Sequence, residues 1–190
     1  MKPSISDERA EELIKLCQEE VEVAIKEGNV PIACVITDLS GNLLLSTHNT
    51  QNTDSDPTAH AEMNALRLLG KQKGTLHLDG YVVFGNAEPC SMCVSACIKA
   101  HIYGFYYGAP AEISMDPWLP ITKMAKFSKN PLIVHGPILG EKCAAQIAFG
   151  RRSIASLNTQ NCPSARSAVL LPHDHSGISG LPLGDEGEAG

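Results

Sequence analysis

The sequence predicts an α/β domain, a mixed sheet with helices on its faces. Two observations carry that expectation. Apolar residues at helical spacing alternate along the chain with short strand-like runs bounded by Gly, Pro, Asn or Ser. In addition, 190 residues with 43% hydrophobic and 19% charged content suit one globular domain with a real core.

Residues 7–27 carry Ala10, Leu13, Ile14, Cys17, Val21, Ala24 and Ile25 on one helical stripe, and Gly28-Asn29 offers a stop. Pro31 to Asp38 reads as a buried strand, Ser40-Gly41-Asn42 as a turn and Leu43 to His48 as the hairpin partner. Asn49 to Pro57 is polar loop. Thr58 can cap a helix over 59–69 that Gly70 ends. Tyr81 to Ala87 is a third strand and Cys90 to about Ala100 a third helix. Ile102 to Tyr107 and Pro131 to His135 are further strands, and Glu141 to about Arg151 is a last helix. The order is α-β-β-α-β-α-β-(α)-β-α. Tyr103, Phe105, Tyr106 and Tyr107 read as core and sheet faces rather than a base-stacking platform. From Ser153 onwards Ser, Pro, Gly and Asn accumulate and periodicity fades. The expected division is therefore a domain over 1–152 and a flexible tail over 153–190 with no chemistry of its own. His173 and His175 in that tail read as solvated side chains, not a second metal site.

No apolar run approaches the roughly 18–20 residues that span a bilayer, and the first residues lack the apolar core of a secretion signal. Seven cysteines, two of them candidate metal ligands, argue against a disulfide framework, so a reducing cytoplasm is the expected compartment. The formal charge is −6, and residues 1–150 alone hold 12 basic against 17 acidic residues. Proteins that grip polynucleotides usually present a basic surface, so this balance disfavours a nucleic-acid substrate.

The chemistry lies in His60-Ala61-Glu62 and Pro89-Cys90-Ser91-Met92-Cys93. One histidine and two cysteines three apart make a zinc (Zn2+) ligand set of His60, Cys90 and Cys93, and three protein ligands leave one tetrahedral position open. A water there has its pKa lowered by zinc from about 16 towards roughly 7. A structural site would present four protein ligands. Cys97 is the one contender for the fourth, but it sits roughly 6 Å of helical rise beyond Cys93 while a Zn–S bond is about 2.3 Å, so Cys97 reads as core. Glu62 is the proton carrier this chemistry needs, although residues two apart on an ideal helix point to different flanks. Both motifs fall where a loop or strand enters a helix, and a helix N-terminus favours thiolate at Cys90 and Cys93.

H-x-E followed by P-C-x-x-C is the mark of zinc nucleobase deaminases. On these motifs the chain resembles the cytidine/deoxycytidylate deaminase superfamily, in the branch of tRNA adenosine deaminases, guanine deaminases and fungal-type cytosine deaminases. The likeness extends through Asp56-Pro57-Thr58-Ala59-His60-Ala61-Glu62 and Glu88-Pro89-Cys90-Ser91-Met92-Cys93. It implies a three-layer α/β/α sandwich, hydrolytic removal of a ring amino group as ammonia, and Glu62 as the catalytic residue. Asn49, eleven positions before His60, falls where the branch keeps a substrate-contacting asparagine. Main-chain N–H groups near Ala61 and Cys90 could steady the intermediate. Asp116 and Trp118 are candidates for reading and stacking on the base, as an acidic residue of this region does in guanine deaminases. Glu88 reads as ordering the loop before the ligands.

After Tyr107-Gly108 the tRNA adenosine deaminases continue Ala-Arg-Asp, whereas this chain has Ala109-Pro110-Ala111. It also has Ala33-Cys34 where the branch shows Gly-Ala beside the pocket. With the acidic charge, these departures favour a small aminopurine or aminopyrimidine, as free base or nucleoside, with guanine-like substrates first. The alternatives are tRNA adenosine-to-inosine editing and a catalytically silent zinc-binding partner subunit, the latter opposed by an intact Glu62. The resemblance further implies a homodimer.

Overall fold

The computed structural model describes residues 3–111, 119–126, 128–129 and 132–161, with side chains as far as residue 156. Five strands among them, Ala33–Asp38 (β1), Leu43–His48 (β2), Tyr81–Ala87 (β3), Gly104–Ala109 (β4) and Ile133–His135 (β5), form one sheet in the order β2-β1-β3-β4-β5. β1 runs antiparallel to both β2 and β3, while β3, β4 and β5 are parallel. The antiparallel pair needs only a tight turn, in which the Asp38 carboxylate accepts the N–H groups of Ser40 and Asn42 and Gly41 adopts φ +82°. The parallel pairs need helical crossovers, supplied by Ser91–Lys99 (α4) and Ile121–Lys126 (α5).

Alternation along the central strands makes three layers. Cys34, Ile36, Val83, Phe105 and Tyr107 point to one face, where they pack with Ala61–Lys73 (α3), α4 and α5. Val35, Val82, Phe84 and Tyr106 point to the other, against Asp7–Lys26 (α1) and Gly140–Asn161 (α6). β1, β3 and β4 are therefore sealed on both sides, which is why they read as near-continuous apolar runs. No helix among the described residues is long and apolar enough to cross a membrane.

β4 spans Gly104–Ala109 rather than Ile102 to Tyr107, and β5 starts at Ile133 rather than Pro131; four further departures from expectation have a physical reason. β1 starts at Ala33 because Pro31 has no N–H to give a ladder. The buried Asn86 side chain bridges the gap instead, donating to the Pro31 carbonyl at 3.1 Å and accepting the Ala33 N–H at 2.9 Å. The polar loop after β2 contains a short helix, Gln51–Asp54 (α2), whose Asn52 and Thr53 N–H groups both donate to the buried Asn29 Oδ1 at 3.1 Å. α3 is capped by His60 rather than Thr58, runs through Gly70 and ends at Gly74 with φ +65°. The hydroxyl and N–H of Thr58 both turn back to the Asp56 carboxylate.

The fourth departure is at the end of the domain. α6 continues to Asn161, past the expected stop near Arg151. Its serines are absorbed by the helix itself, with Ser153 Oγ donating to the Phe149 carbonyl and Ser156 Oγ to that of Arg152. Residues 162–190, including His173 and His175, lie outside the described residues.

Candidate active site

Two helix starts face each other at one end of the sheet. His60 caps α3 and Cys90 caps α4, each with an extended backbone (ψ 153° and 167°), and Cys93 sits in the first turn of α4. Because His60 lies outside the helix, the two-residue step to Glu62 is not a helical step. That removes the objection that their side chains must point apart.

His60 Nδ1 lies 3.5 Å from each of the Cys90 and Cys93 sulfurs, which are 3.6 Å from one another. A tetrahedral site with Zn–S near 2.3 Å and Zn–N near 2.0 Å has ligand-to-ligand edges of about 3.5–3.8 Å. The trio therefore has the chemistry and the spacing to hold one zinc. Among the described residues it is the one group of three or more His, Cys, Asp or Glu side chains placed to do so. Cys97 is fully buried in the core and takes no part in it.

The electrostatics suit a cation. The bond from Cys93 brings the Cys90 thiol down to about 4 against the cost of burial, with His60 adding to the pull. The same bond, together with burial, pushes Cys93 up. A coordinated dication holds both sulfurs as thiolates. Glu62, 4% exposed, places Oε2 3.4 Å from the Cys93 sulfur. Burial pushes its carboxyl above the ordinary range, against the pull of its own backbone N–H. A carboxyl so placed can take up a proton and pass it on.

A cavity of about 410 Å³ opens over this cluster. Asn49, 2% exposed, leaves the end of β2 to line it with Glu62, His60 and Cys90. Pro110 and Ala111 form one wall, and Ala144, Ile147 and Arg151 of α6 form another. Ala61 packs in the core beneath, its carbonyl accepting the Thr47 hydroxyl, and is not part of the lining. Glu88 accepts the N–H groups of Ala111 and Ile121 at 3.0 Å each, tying the end of β4 to the start of α5. Asp116 and Trp118 lie outside the described residues. Sequence reasoning missed Gln51, Ile32 and the α6 residues as lining. Gln51 sits two residues after Asn49, but a polar loop carries no periodicity that could have revealed it.

Residues 7–109 match the family described as the cytidine and deoxycytidylate deaminase zinc-binding region. The tRNA-specific adenosine deaminase of Bacillus subtilis is 28% identical over 131 residues, 68% of this chain and 80% of that one. The tRNA(Ile)-lysidine synthase of Deinococcus deserti is 39% identical over 80 residues, 42% of this chain, and this chain spans 15% of that longer protein. A solved structure of guanine deaminase from Nitrosomonas europaea shares the fold, with a TM-score of 0.65 at 24% identity, covering 76% of this chain and 84% of that one.

Proposed function

The chain belongs to the cytidine and deoxycytidylate deaminase family, a zinc-dependent hydrolytic group, and from that premise we propose that its substrate is a small aminopurine or aminopyrimidine, guanine-like first. The observation that carries this reading is the cavity over His60, Cys90 and Cys93. At about 410 Å³ it has the size of a small-molecule pocket. It is roofed by α6 and walled by Pro110 and Ala111, where the resemblance to tRNA enzymes would have called for charges.

His60, Cys90 and Cys93 would hold zinc, which when bound acidifies a water beside the substrate. Glu62 would take the two protons of that water in turn, passing the first to a ring nitrogen and the second to the departing amino group. The ring carbon gains an oxygen, its C–N bond breaks and ammonia leaves. Asn49 holds the edge of the base.

The homodimer is supported by an apolar groove of about 650 Å³ between α3 and α4, where Leu76 is 86% exposed. A second substrate reading, adenosine in tRNA, is favoured by the 28% identity across most of the Bacillus subtilis tRNA-specific enzyme.

The deciding experiment measures ammonia release from free bases, nucleosides and tRNA. Turnover of guanine or a related base or nucleoside, with little dependence on salt, supports the first reading. Inosine formation in tRNA, with every small molecule ignored, replaces it with the second.

A further inference from the structure

We propose that Gln51 is a positioning residue that fixes which atoms of the Asn49 amide meet the substrate. This rests on the reading that Asn49 contacts the base. Asn49 and Gln51 line the same cavity and are bonded twice. Asn49 Nδ2 donates to Gln51 Oε1 at 2.8 Å, and Asn49 Oδ1 accepts the Gln51 backbone N–H at 3.0 Å.

The oxygen and nitrogen of a side-chain amide are interchangeable until a partner distinguishes them. Here two backbone groups do so. The Gln51 N–H can only donate, so the Asn49 atom facing it is oxygen. The Pro57 carbonyl can only accept, so the Gln51 atom 2.9 Å from it is nitrogen, leaving the Gln51 oxygen for the Asn49 amino group. Both amides are thus locked in one orientation. Asn49 keeps one N–H and one oxygen lone pair, a donor and an acceptor on one planar group.

The lock is anchored to the metal cluster. Gln51 opens α2, whose next two N–H groups are held by Asn29. The Thr50 N–H donates to the carbonyl of Ala59, the residue before His60. Asn49 is therefore oriented relative to His60 before substrate arrives. Its fixed donor and acceptor suit a base edge that sets an acceptor beside a donor, as a ring carbonyl next to a ring N–H does. Without the Gln51 side chain the Asn49 amide keeps only its bond from the residue 51 backbone N–H, and its amino group is no longer held in place, so the cost should appear in recognition of the base.

The test compares Gln51→Leu, Asn49→Ala and the double variant, zinc-loaded, on the base or nucleoside the parent turns over best. Gln51→Leu should lower kcat/KM by about 10-fold, mainly through KM, with zinc content unchanged. Added to Asn49→Ala it should cost nothing further, because its effect runs through that amide. Gln51→Glu keeps a side-chain oxygen for Asn49 Nδ2, so its KM should lie closer to the parent's than that of Gln51→Leu. Losses that multiply in the double variant, or an unchanged KM in Gln51→Leu, overturn the proposal while leaving the deaminase reading intact. A parent chain that turns over no base, nucleoside or tRNA overturns that reading first.

Discussion

Replacing Glu62 with Gln isolates proton transfer from every other property of the site. The carboxyl is 4% exposed and touches the Cys93 sulfur at 3.4 Å, so a shorter side chain would leave a hole and confuse the result. Glutamine keeps the volume and can donate to that sulfur, and none of the three metal-ligating atoms is altered. What it cannot do is take a proton from water and pass it on. A positioned acid–base group is worth 10²–10⁴ in rate, so kcat should fall by at least about 100-fold, about 2.7 kcal/mol of transition-state stabilisation. Ammonia release and elemental zinc should be measured on the same preparation. Near-parental turnover with zinc in place would refute Glu62 as the proton carrier. Lost activity accompanied by lost zinc would show instead that the carboxylate sustains the metal site.

Asn86→Ala should destabilise the fold by about 2–5 kcal/mol, since it leaves the Ala33 N–H and the Pro31 carbonyl unpaired in a buried place. Urea unfolding of the zinc-loaded protein measures this, and a loss below about 1 kcal/mol would mean that water replaces the amide. His48 carries a pH prediction. Partial burial lowers its pKa, but bonds to the Glu20 and Glu27 carboxylates outweigh that and leave it raised. A raised histidine pKa contributes stability that is complete below the unfolded value near about 6.5 and fades as pH rises through the folded value. The gap in urea stability between parent and His48→Gln should thus be wider at about pH 6 than at about pH 8.5, and equal gaps would discount the pairing.

The elements legible in the sequence are those whose environment is uniform along their length. α1 shows its stripe because one face meets the sheet throughout, and β3 and β4 show nearly continuous apolar runs because both faces are covered. The grouping of His60, Cys90 and Cys93 was legible for a different reason, that metal coordination demands residue types few other roles require together. What escaped notice depends on distant partners. α2 forms because Asn29, just past the end of α1, accepts its N–H groups, and nothing in residues 51–54 announces that. Asn86 looks like any strand residue until Pro31 creates the gap it fills. The last turns of α6 lose their apolar stripe near Ser153 yet stay helical, because serine hydroxyls can bond to the helix's own carbonyls. Strand order was equally hidden, since placing β1 between β2 and β3 is a matter of long-range pairing.

Register explains why the cavity belongs where it is. His48 pairs with Ala33, Cys34 with Gly85, and Gly85 with Tyr107, so the strands from β2 through β4 are aligned in rows across the sheet. The row just beyond the last paired residues of β1 and β2 holds Ile32 and Asn49, joined through the Asn49 N–H and the Ile32 carbonyl at 2.9 Å. It continues through Ala87 paired with Ala109. All four residues line the cavity. Because β1 runs against its neighbours, this row gathers the exit of β2, the entrance of β1 and the carboxyl ends of β3 and β4. Ligands of α/β sheets generally settle at the carboxyl ends of parallel strands. Here the antiparallel hairpin adds an amide to that edge, while two alanines on the parallel strands leave room above it. The helices that follow the sheet edge begin at the same level, so His60 and Cys90 reach the cavity as caps. A one-residue slip of β2 would turn Asn49 to the opposite face of the sheet, which ties recognition of the base to strand pairing as firmly as to the loop that carries Gln51.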